Sequence, residues 1–116
     1  MKLFKEFTFE AAHQLPLVPK DHKCFQLHGH SFKVRVYVQG QVNEMGWVID
    51  FAEIKGICKP WIETLDHSFL NEINGLDNPT SENIAMWLWD KLIGQLPQLS
   101  AVEIMETCTS GCIYTG

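Results

Sequence analysis

Three histidines are the residues of this sequence best suited to binding a metal ion. His28 and His30 flank a single glycine, and two residues so spaced on a β-strand lie on the same face, about 7 Å apart. His13 ends an earlier segment with a strand pattern, and it supplies a third nitrogen if the two segments pair. Three histidines with one open position are typical of catalytic zinc, whereas structural zinc has four protein ligands. From spacing alone, histidines that only satisfy ordinary hydrogen bonds are an equally good interpretation.

A cysteine precedes the histidine pair. Cys24 lies four residues before His28 and directly after Lys23. Close to a zinc ion and cationic side chains, a thiolate serves as a base or a nucleophile near neutral pH. A fourth zinc ligand and an inert buried cysteine are the other interpretations. We expect Cys108 and Cys112 to be structural, because a single Cys-x-x-x-Cys pair is a weak metal motif and a reducing compartment disfavours disulfides.

Two acidic residues have a chemically suggestive setting. Asp66 precedes His67, and a carboxylate beside an imidazole is the usual arrangement for fixing the tautomer and charge of a base. The alternative is a helix end where His67 only caps the last carbonyls.

Glu106 has the strand parity of Val102 and Ile104, so we expect it to face the apolar side, where a buried carboxylate needs a partner. A strand-end glutamate turned to solvent is the alternative.

The elements that position these residues follow from hydrophobic periodicity. Alternation of period two predicts four strands, at 3–13, 28–39, 99–107 and 112–114. Helical spacing predicts one helix over 50–65, bent at Pro60, and a second from 79–82 to before Pro97. The order β-β-α-α-β-β favours an α+β fold, a four-stranded antiparallel sheet with two helices on one face. Since no linker or repeat is present, we expect residues 1–116 to form a single domain.

The composition of the 116 residues narrows the classes of function. Hydrophobic residues make up 46% and charged residues 20%, which is typical of a globular chain and too apolar for disorder. The net charge of −5 argues against a nucleic-acid partner, since nucleic-acid binders are normally basic. No segment offers the apolar run of a signal peptide or the ~20 apolar residues of a membrane span, so we expect a cytoplasmic protein without a membrane partner.

Five short motifs follow one another along the chain: Phe-Glu-Ala-Ala-His at 9–13, Cys-x-x-x-His-Gly-His at 24–30, Leu-Asp-His at 65–67, Pro-Thr-Ser-Glu-Asn at 79–83 and Glu-Thr at 106–107. In order and spacing they resemble the 6-pyruvoyl-tetrahydropterin synthase family. Within that family, 22–31 and 106–109 look like the 6-carboxy-tetrahydropterin synthases of queuosine (7-deazaguanine) biosynthesis. One departure is Thr115, which follows Tyr114 where members commonly have a basic residue. It leaves open which residues contact the substrate's phosphates.

The resemblance implies a role for each residue singled out above. The implied zinc ligands are His13, His28 and His30. The implied catalytic residues are Cys24, Asp66, His67 and Glu106, with Cys24 as the base, Asp66 and His67 as its relay, and Glu106 as the pterin anchor. The implied substrate-binding residues are Glu106, Thr107, Thr80 and Ser81.

The resemblance also implies a reaction and an assembly. Such a lyase converts 7,8-dihydroneopterin triphosphate into 6-carboxy-tetrahydropterin and releases acetaldehyde and triphosphate, with Zn²⁺ as cofactor. The implied architecture is the tunnelling fold, in which two trimers stack into a homohexamer and the active sites form between subunits. A 6-pyruvoyl-tetrahydropterin synthase, which stops at triphosphate elimination, is one alternative. A non-catalytic zinc-dependent pterin-binding module is the other, although the presence of Cys24, Asp66 and His67 argues against it.

Overall fold

The computed structural model describes residues 1–116 and contains five strands and two helices. The strands are β1 (Lys2–His13), β2 (His28–Gln39), β3 (Ser68–Phe69), β4 (Leu99–Thr107) and β5 (Ser110–Tyr114). The helices are α1 (Phe51–Leu65) and α2 (Ser81–Leu92), and short 3₁₀ turns occur at Lys23–Phe25 and Leu70–Glu72. Both helices and four of the strands lie close to where the periodicity predicted them.

The strands form one mixed sheet in the order β3-β1-β2-β4-β5. Neighbours among β1, β2, β4 and β5 pair antiparallel, and β3 pairs parallel to the free side of β1. The predicted four-stranded antiparallel sheet is therefore wrong, because there is a fifth strand and it is parallel. β3 has only two residues, too few for alternation to show in the sequence, and it forms where the chain leaves α1 beside Ala11 and Ala12.

One face of this sheet carries the core. Buried and exposed side chains alternate along β1 and β2, and the buried set ends in Phe9, Ala11 and His13 on β1. These residues belong to a face that packs with the buried residues of α1 and α2 in one apolar cluster. The opposite face is polar, and there Arg35 Nε lies 2.9 Å from Glu6 Oε1.

Each helix begins at a side-chain cap. Asp50 accepts the N–H of Ala52 (2.9 Å) at the start of α1, and Thr80 accepts the N–H of Asn83 (3.1 Å) at the start of α2. Pro60 lies inside α1, where proline has no N–H to donate to the helical hydrogen-bond ladder. Neither helix has both the length and the apolar character that crossing a membrane requires.

A candidate metal centre and active site

Three histidines meet at the end of the β1–β2 ladder. His13 is the last residue of β1 and His28 the first of β2, and the register places them opposite each other. His30 lies two residues further along β2, so its side chain points to the same face. The rings meet at steep angles, with centroids 4.5 Å (His13–His28), 4.9 Å (His28–His30) and 5.3 Å (His13–His30) apart. The structure thus brings together the three predicted metal ligands.

A carboxylate joins the histidines from β4. Glu106 Oε1 lies 3.1 Å from His13 Nε2 and 3.0 Å from His30 Nε2. One ligand atom from each of the three histidines and from Glu106 lies within 4.8 Å of the others. Glu106 is partly buried and faces the apolar side of the sheet, as the parity of β4 predicted. Its contact with the imidazoles was not expected from the sequence.

Backbone carbonyls orient two of the three rings, those of His13 and His28. His13 Nδ1 lies 2.8 Å from the carbonyl oxygen of Pro79, and His28 Nδ1 lies 2.7 Å from that of Gln26. Because a carbonyl only accepts hydrogen bonds, each Nδ1 is inferred to carry a proton and donate it. A neutral ring then has its free lone pair on Nε2. A metal-binding histidine usually donates its other ring N–H to a carbonyl in this way, which fixes the orientation of the ring.

The state of His13 indicates that a cation fits this site. The ring is fully buried, and its Nε2 has no hydrogen-bonding partner. Burial lowers the pKa of His13, so the ring is neutral near pH 7. The 3.1 Å contact with Glu106 then joins two acceptors with no proton between them, and a cation would turn that repulsion into attraction. Imidazole nitrogens and carboxylate oxygens are among the ligands that zinc takes.

Cys24 lies beside this cluster on the first 3₁₀ turn. It is partly buried and lines a cavity of about 380 Å³. The same cavity is lined by Lys23, His28, His30, Glu106 and Thr107. The thiol is not one of the four clustered ligand atoms. The fourth atom of that cluster, besides the three imidazole nitrogens, comes from Glu106. A thiol, two imidazoles and one cationic side chain therefore share a space of the size that small-molecule sites have.

Asp66 and His67 form a direct pair. His67 Nδ1 lies 2.9 Å from Asp66 Oδ2, and the backbone of His67 adopts the left-handed conformation (φ 54°), which is uncommon outside glycine. Glu10 holds the pair: its N–H donates to Asp66 Oδ1 (2.9 Å), and its carbonyl accepts the N–H of His67 (2.6 Å). The pKa of Asp66 is lowered, mainly by the hydrogen bond from Glu10 and also by His67. Partial burial acts in the opposite direction but does not cancel these effects. The ring of His67 thus pairs with Asp66, and the helix-cap alternative is not what the structure shows.

His67 and Cys24 border different cavities. The side chain of His67 is 80% exposed and lines a space with Glu10, Ser31 and His30. His30 lines this space and also the cavity at Cys24. The predicted catalytic residues therefore surround the histidine cluster, but one chain does not bring Asp66 and His67 into the cavity of Cys24.

The hydroxyl residues expected to bind substrate have three different surroundings. Thr107 lines the cavity at Cys24. Ser81 lines a smaller cavity that Glu106 also borders. Thr80 Oγ1 accepts the N–H of Asn83 as the N-cap of α2, so this hydroxyl already has a role in the fold.

The groups that orient the site were missed by sequence reasoning. Backbone groups of Glu10, Gln26 and Pro79 hold the imidazoles and the carboxylate of Asp66. Every residue type offers such backbone groups, so no side-chain pattern marks them. His22, whose ring accepts the N–H of Cys24, entered the sequence analysis only as part of a family motif.

The class of this protein follows from its fold, its site and comparison with known proteins. The model of the family described as 6-pyruvoyl tetrahydropterin synthase matches residues 2–116. The chain belongs to this family, as its five motifs indicated. Its structure is similar to that of the 6-pyruvoyl tetrahydropterin synthase of Caenorhabditis elegans, with a TM-score of 0.92 and 28% identity over 100% of this chain and 95% of that one.

Several characterised relatives carry a more particular name. A 6-carboxy-5,6,7,8-tetrahydropterin synthase from Synechocystis is 47% identical and covers 97% of this chain and 91% of its own length. An enzyme of the same name from Haemophilus influenzae is 32% identical over 97% of each chain. A dihydroneopterin monophosphate aldolase from Pyrococcus furiosus is 39% identical over 78% of this chain and 73% of its own. The predictions of an enzyme of the lyase class, and of similarity to the 6-carboxy branch, are confirmed.

Proposed function

We propose that this protein is a zinc-dependent 6-carboxy-tetrahydropterin synthase of queuosine biosynthesis. Its substrates are 7,8-dihydroneopterin triphosphate and one water molecule, and its products are 6-carboxy-tetrahydropterin, acetaldehyde and triphosphate. The observation that carries this proposal is the cluster of three imidazoles and Glu106, bordered by the cavity in which Cys24 lies. The 47% identity to the Synechocystis enzyme of that name supports the choice of product.

The imidazoles of His13, His28 and His30 are the proposed zinc ligands. Zinc bound there would supply Lewis-acid polarisation of the substrate's side-chain oxygens. The chain contributes the protonation state: His13 and His28 have their Nδ1 protons directed at carbonyls, and a neutral imidazole is the form that binds metal. The sheet contributes the spacing, since the β1–β2 register sets His13 opposite His28.

Cys24 is the proposed base. It shares a cavity with two of the imidazoles, so a substrate held there presents its side chain to the thiolate. The proposed task of Cys24 is to remove and return a proton on the carbon side chain of the pterin while triphosphate leaves. Lys23 is the cationic side chain that lines this cavity, and we assign it contact with the substrate's phosphates.

Glu106 is the proposed pterin anchor. The ring of a pterin offers paired N–H donors, which a carboxylate accepts with both oxygens. Glu106 borders the cavity at Cys24 and the smaller one at Ser81, so it stands between the proposed site of chemistry and the start of α2. Its Oε1 lies 3.1 Å from His13 Nε2 and 3.0 Å from His30 Nε2, so the proposed anchor adjoins the proposed zinc ligands.

Asp66 and His67 are proposed to act on the site of a neighbouring subunit. Within one chain His67 borders a different cavity from Cys24, and the strands β3 and β5 leave two sheet edges open. We therefore propose the homohexamer of the tunnelling fold, with two stacked trimers and active sites between chains. In that assembly the Asp66–His67 pair serves as a second proton-transfer group beside Cys24.

Product analysis tests the proposed reaction. Purified protein is incubated with 7,8-dihydroneopterin triphosphate, and the products are identified by mass, with acetaldehyde and 6-carboxy-tetrahydropterin expected. A pyruvoyl product without acetaldehyde would make this a pyruvoyl-type enzyme, and binding without turnover would leave a pterin-binding module. Dihydroneopterin monophosphate is the comparison substrate, and a higher kcat/KM for it would overturn the choice of the triphosphate.

Metal analysis tests the proposed ligands. We expect about one zinc per chain in the purified protein and loss of the metal in His30→Ala, because two imidazoles hold zinc far more weakly than three. Full zinc occupancy in both His28→Ala and His30→Ala would contradict this ligand set. A substitution of the exposed Lys20, such as Lys20→Gln, is the control that should leave the zinc content unchanged.

A further inference from the structure

The turn that carries Cys24 is capped by one side chain. His22 is the N-cap of the 3₁₀ turn Lys23–Phe25, with an extended backbone (φ −72°, ψ 136°), and its Nδ1 accepts the N–H of Cys24 at 3.0 Å. The carbonyl of Cys24 accepts the N–H of Leu15, also at 3.0 Å. Both backbone polar groups of Cys24 therefore have partners, and the one supplied by a side chain comes from His22.

His22 acts neither as a metal ligand nor as a group that lines the site. It is exposed, it is absent from the cluster of four ligand atoms, and it does not border the cavity at Cys24. Since its Nδ1 accepts a hydrogen bond, the ring is unprotonated at that atom, and a neutral ring has its proton on Nε2. Within the chain, the contact that connects His22 with the site is its hydrogen bond to the backbone of Cys24.

We propose that His22 is a positioning residue that holds the Cys24 thiol in place for proton transfer, an inference that rests on the proposed role of Cys24 as the base. Much of the connection from β1 to β2 lacks apolar packing. Pro16, Leu17 and residues 19–23 are exposed, and none of them belongs to the apolar cluster. A side-chain cap on a short turn matters most where packing is sparse, because the turn then has few other restraints.

Three substitutions of His22, which differ in the position or presence of a hydrogen-bond acceptor, test this role. In His22→Asn the acceptor Oδ1 stands the same number of bonds from Cα as Nδ1 does, and asparagine is a good N-cap. In His22→Gln the acceptor stands one bond further out, and His22→Leu has no acceptor. We expect His22→Asn to retain most of the wild-type kcat, and His22→Gln and His22→Leu to lower kcat by roughly 2- to 30-fold, the range that corresponds to loss of a cap. KM should change less than kcat, because the proposed anchor Glu106 is untouched. A rise in KM with kcat unchanged would place the effect of the cap on Lys23, the proposed phosphate contact in the same turn, and would overturn the proposal. Asp21→Asn, at the exposed neighbouring position, is the matched control.

Two further measurements report on the hydrogen bond itself. Amide hydrogen exchange at Cys24, and the rate at which Cys24 is alkylated, should both change in His22→Gln and His22→Leu and stay near the wild-type values in His22→Asn. Melting temperature and zinc content, measured on every variant, separate this local effect from unfolding and from loss of the metal.

The outcomes that overturn the proposal are distinct. Equal kcat values in the Asn, Gln and Leu variants would overturn it, as would faster exchange at Cys24 without a change in kcat. Loss of zinc in His22→Leu would assign His22 to the metal site instead. If Cys24→Ala turned over substrate at the wild-type rate, the proposed function of Cys24 would fail, whereas hydrogen exchange would still show whether His22 holds the turn.

Discussion

His13 joins the apolar core to the proposed metal site through a single ring. The ring meets Phe32 edge-on at a centroid distance of 5.6 Å, and Phe32 stacks on Phe9 at 4.8 Å. Its Nδ1 is engaged by the carbonyl of Pro79, and its Nε2 faces Glu106. Packing on one side and a hydrogen bond on another restrict rotation of the ring, so the Nε2 lone pair is preorganised for a metal.

Replacing Cys24 by alanine separates the proposed base from the metal. We expect Cys24→Ala to keep its zinc and to bind the pterin, because neither the imidazoles nor Glu106 changes. Turnover should fall by about a hundredfold to ten-thousandfold, the typical loss of general-base catalysis. Zinc analysis and steady-state kinetics measure the two properties, with Cys108→Ser, at the exposed β4–β5 turn, as the control thiol. Turnover at the wild-type rate, or loss of zinc, would remove Cys24 from this role.

Replacing Glu106 should affect binding first. In Glu106→Ala the N–H donors of the pterin ring lose their charged acceptor, which should weaken pterin binding by about 1.5–3 kcal/mol. Titration of the protein with a non-reacting pterin measures the affinity, and Glu106→Gln, which keeps one acceptor oxygen, should lie between wild type and alanine. The assignment fails if all three proteins bind the pterin equally well.

At the scale of elements, the site lies where strands and helices begin or end. β1 ends at His13, β2 begins at His28, α1 ends next to Asp66, and α2 begins after Pro79. Backbone groups at such ends have no partner within their own helix or strand, so they are free to bond side chains from other elements. The carbonyl of Pro79, just before the N-cap of α2, bonds Nδ1 of His13. The carboxylate of Asp66, the C-cap of α1, accepts the N–H of Glu10 on β1.

The link between α1 and β1 should make stability depend on pH in acid. The pKa of Asp66 is lower in the folded chain than in the unfolded one, so ionised Asp66 stabilises the fold above the ordinary aspartate value, and this contribution is lost as the pH falls through the lower folded value. Between about pH 5 and pH 2, the free energy of unfolding should therefore fall less in Asp66→Asn than in wild type. Urea denaturation across this range measures it, with the exposed Asp90→Asn as control. Parallel curves for wild type and Asp66→Asn would contradict the link.

At the scale of the whole molecule, the isolated chain leaves surfaces that a partner chain would cover. The two ends of the sheet are open at β3 and β5. Large apolar side chains are also exposed near the start of β1, among them Met1, Trp47 and Phe51, which line a cavity of about 280 Å³. Open edges and clustered apolar surface are features of subunit contacts, and both agree with the proposed hexamer.

Mixed assemblies test whether the sites are shared. Cys24→Ala and His67→Ala should each be inactive alone. If every site takes Cys24 from one chain and His67 from another, coexpression of the two variants in equal amounts restores about a quarter of the wild-type activity, because that fraction of randomly assembled sites has both residues intact. Light scattering on the same samples should find hexamers. No recovery of activity in a confirmed mixed hexamer would place Cys24 and His67 of each site in the same chain.

Local patterns in the sequence determined the elements and the chemical types at the site. Alternation of apolar and polar residues along 3–13 and 28–39 was sufficient to predict the strands β1 and β2, because burial of one face of a strand imposes a period of two. The spacing of His28 and His30 was sufficient to place both rings on one face of a strand. The parity of Glu106 likewise predicted that it faces the apolar side. These properties depend on neighbours in the chain, so they can be inferred without knowledge of its path.

Only the tertiary structure decided how these residues meet. The register that sets His13 opposite His28, and the bond from Glu10 to Asp66 across 56 positions, depend on how strands and helices pack. The parallel strand β3 likewise depends on packing, because its two residues pair with β1 only where the end of α1 places them beside that strand. The partners that orient the rings are mostly backbone groups, which are identical in every residue, and the distances between them are set by packing and not by residue type.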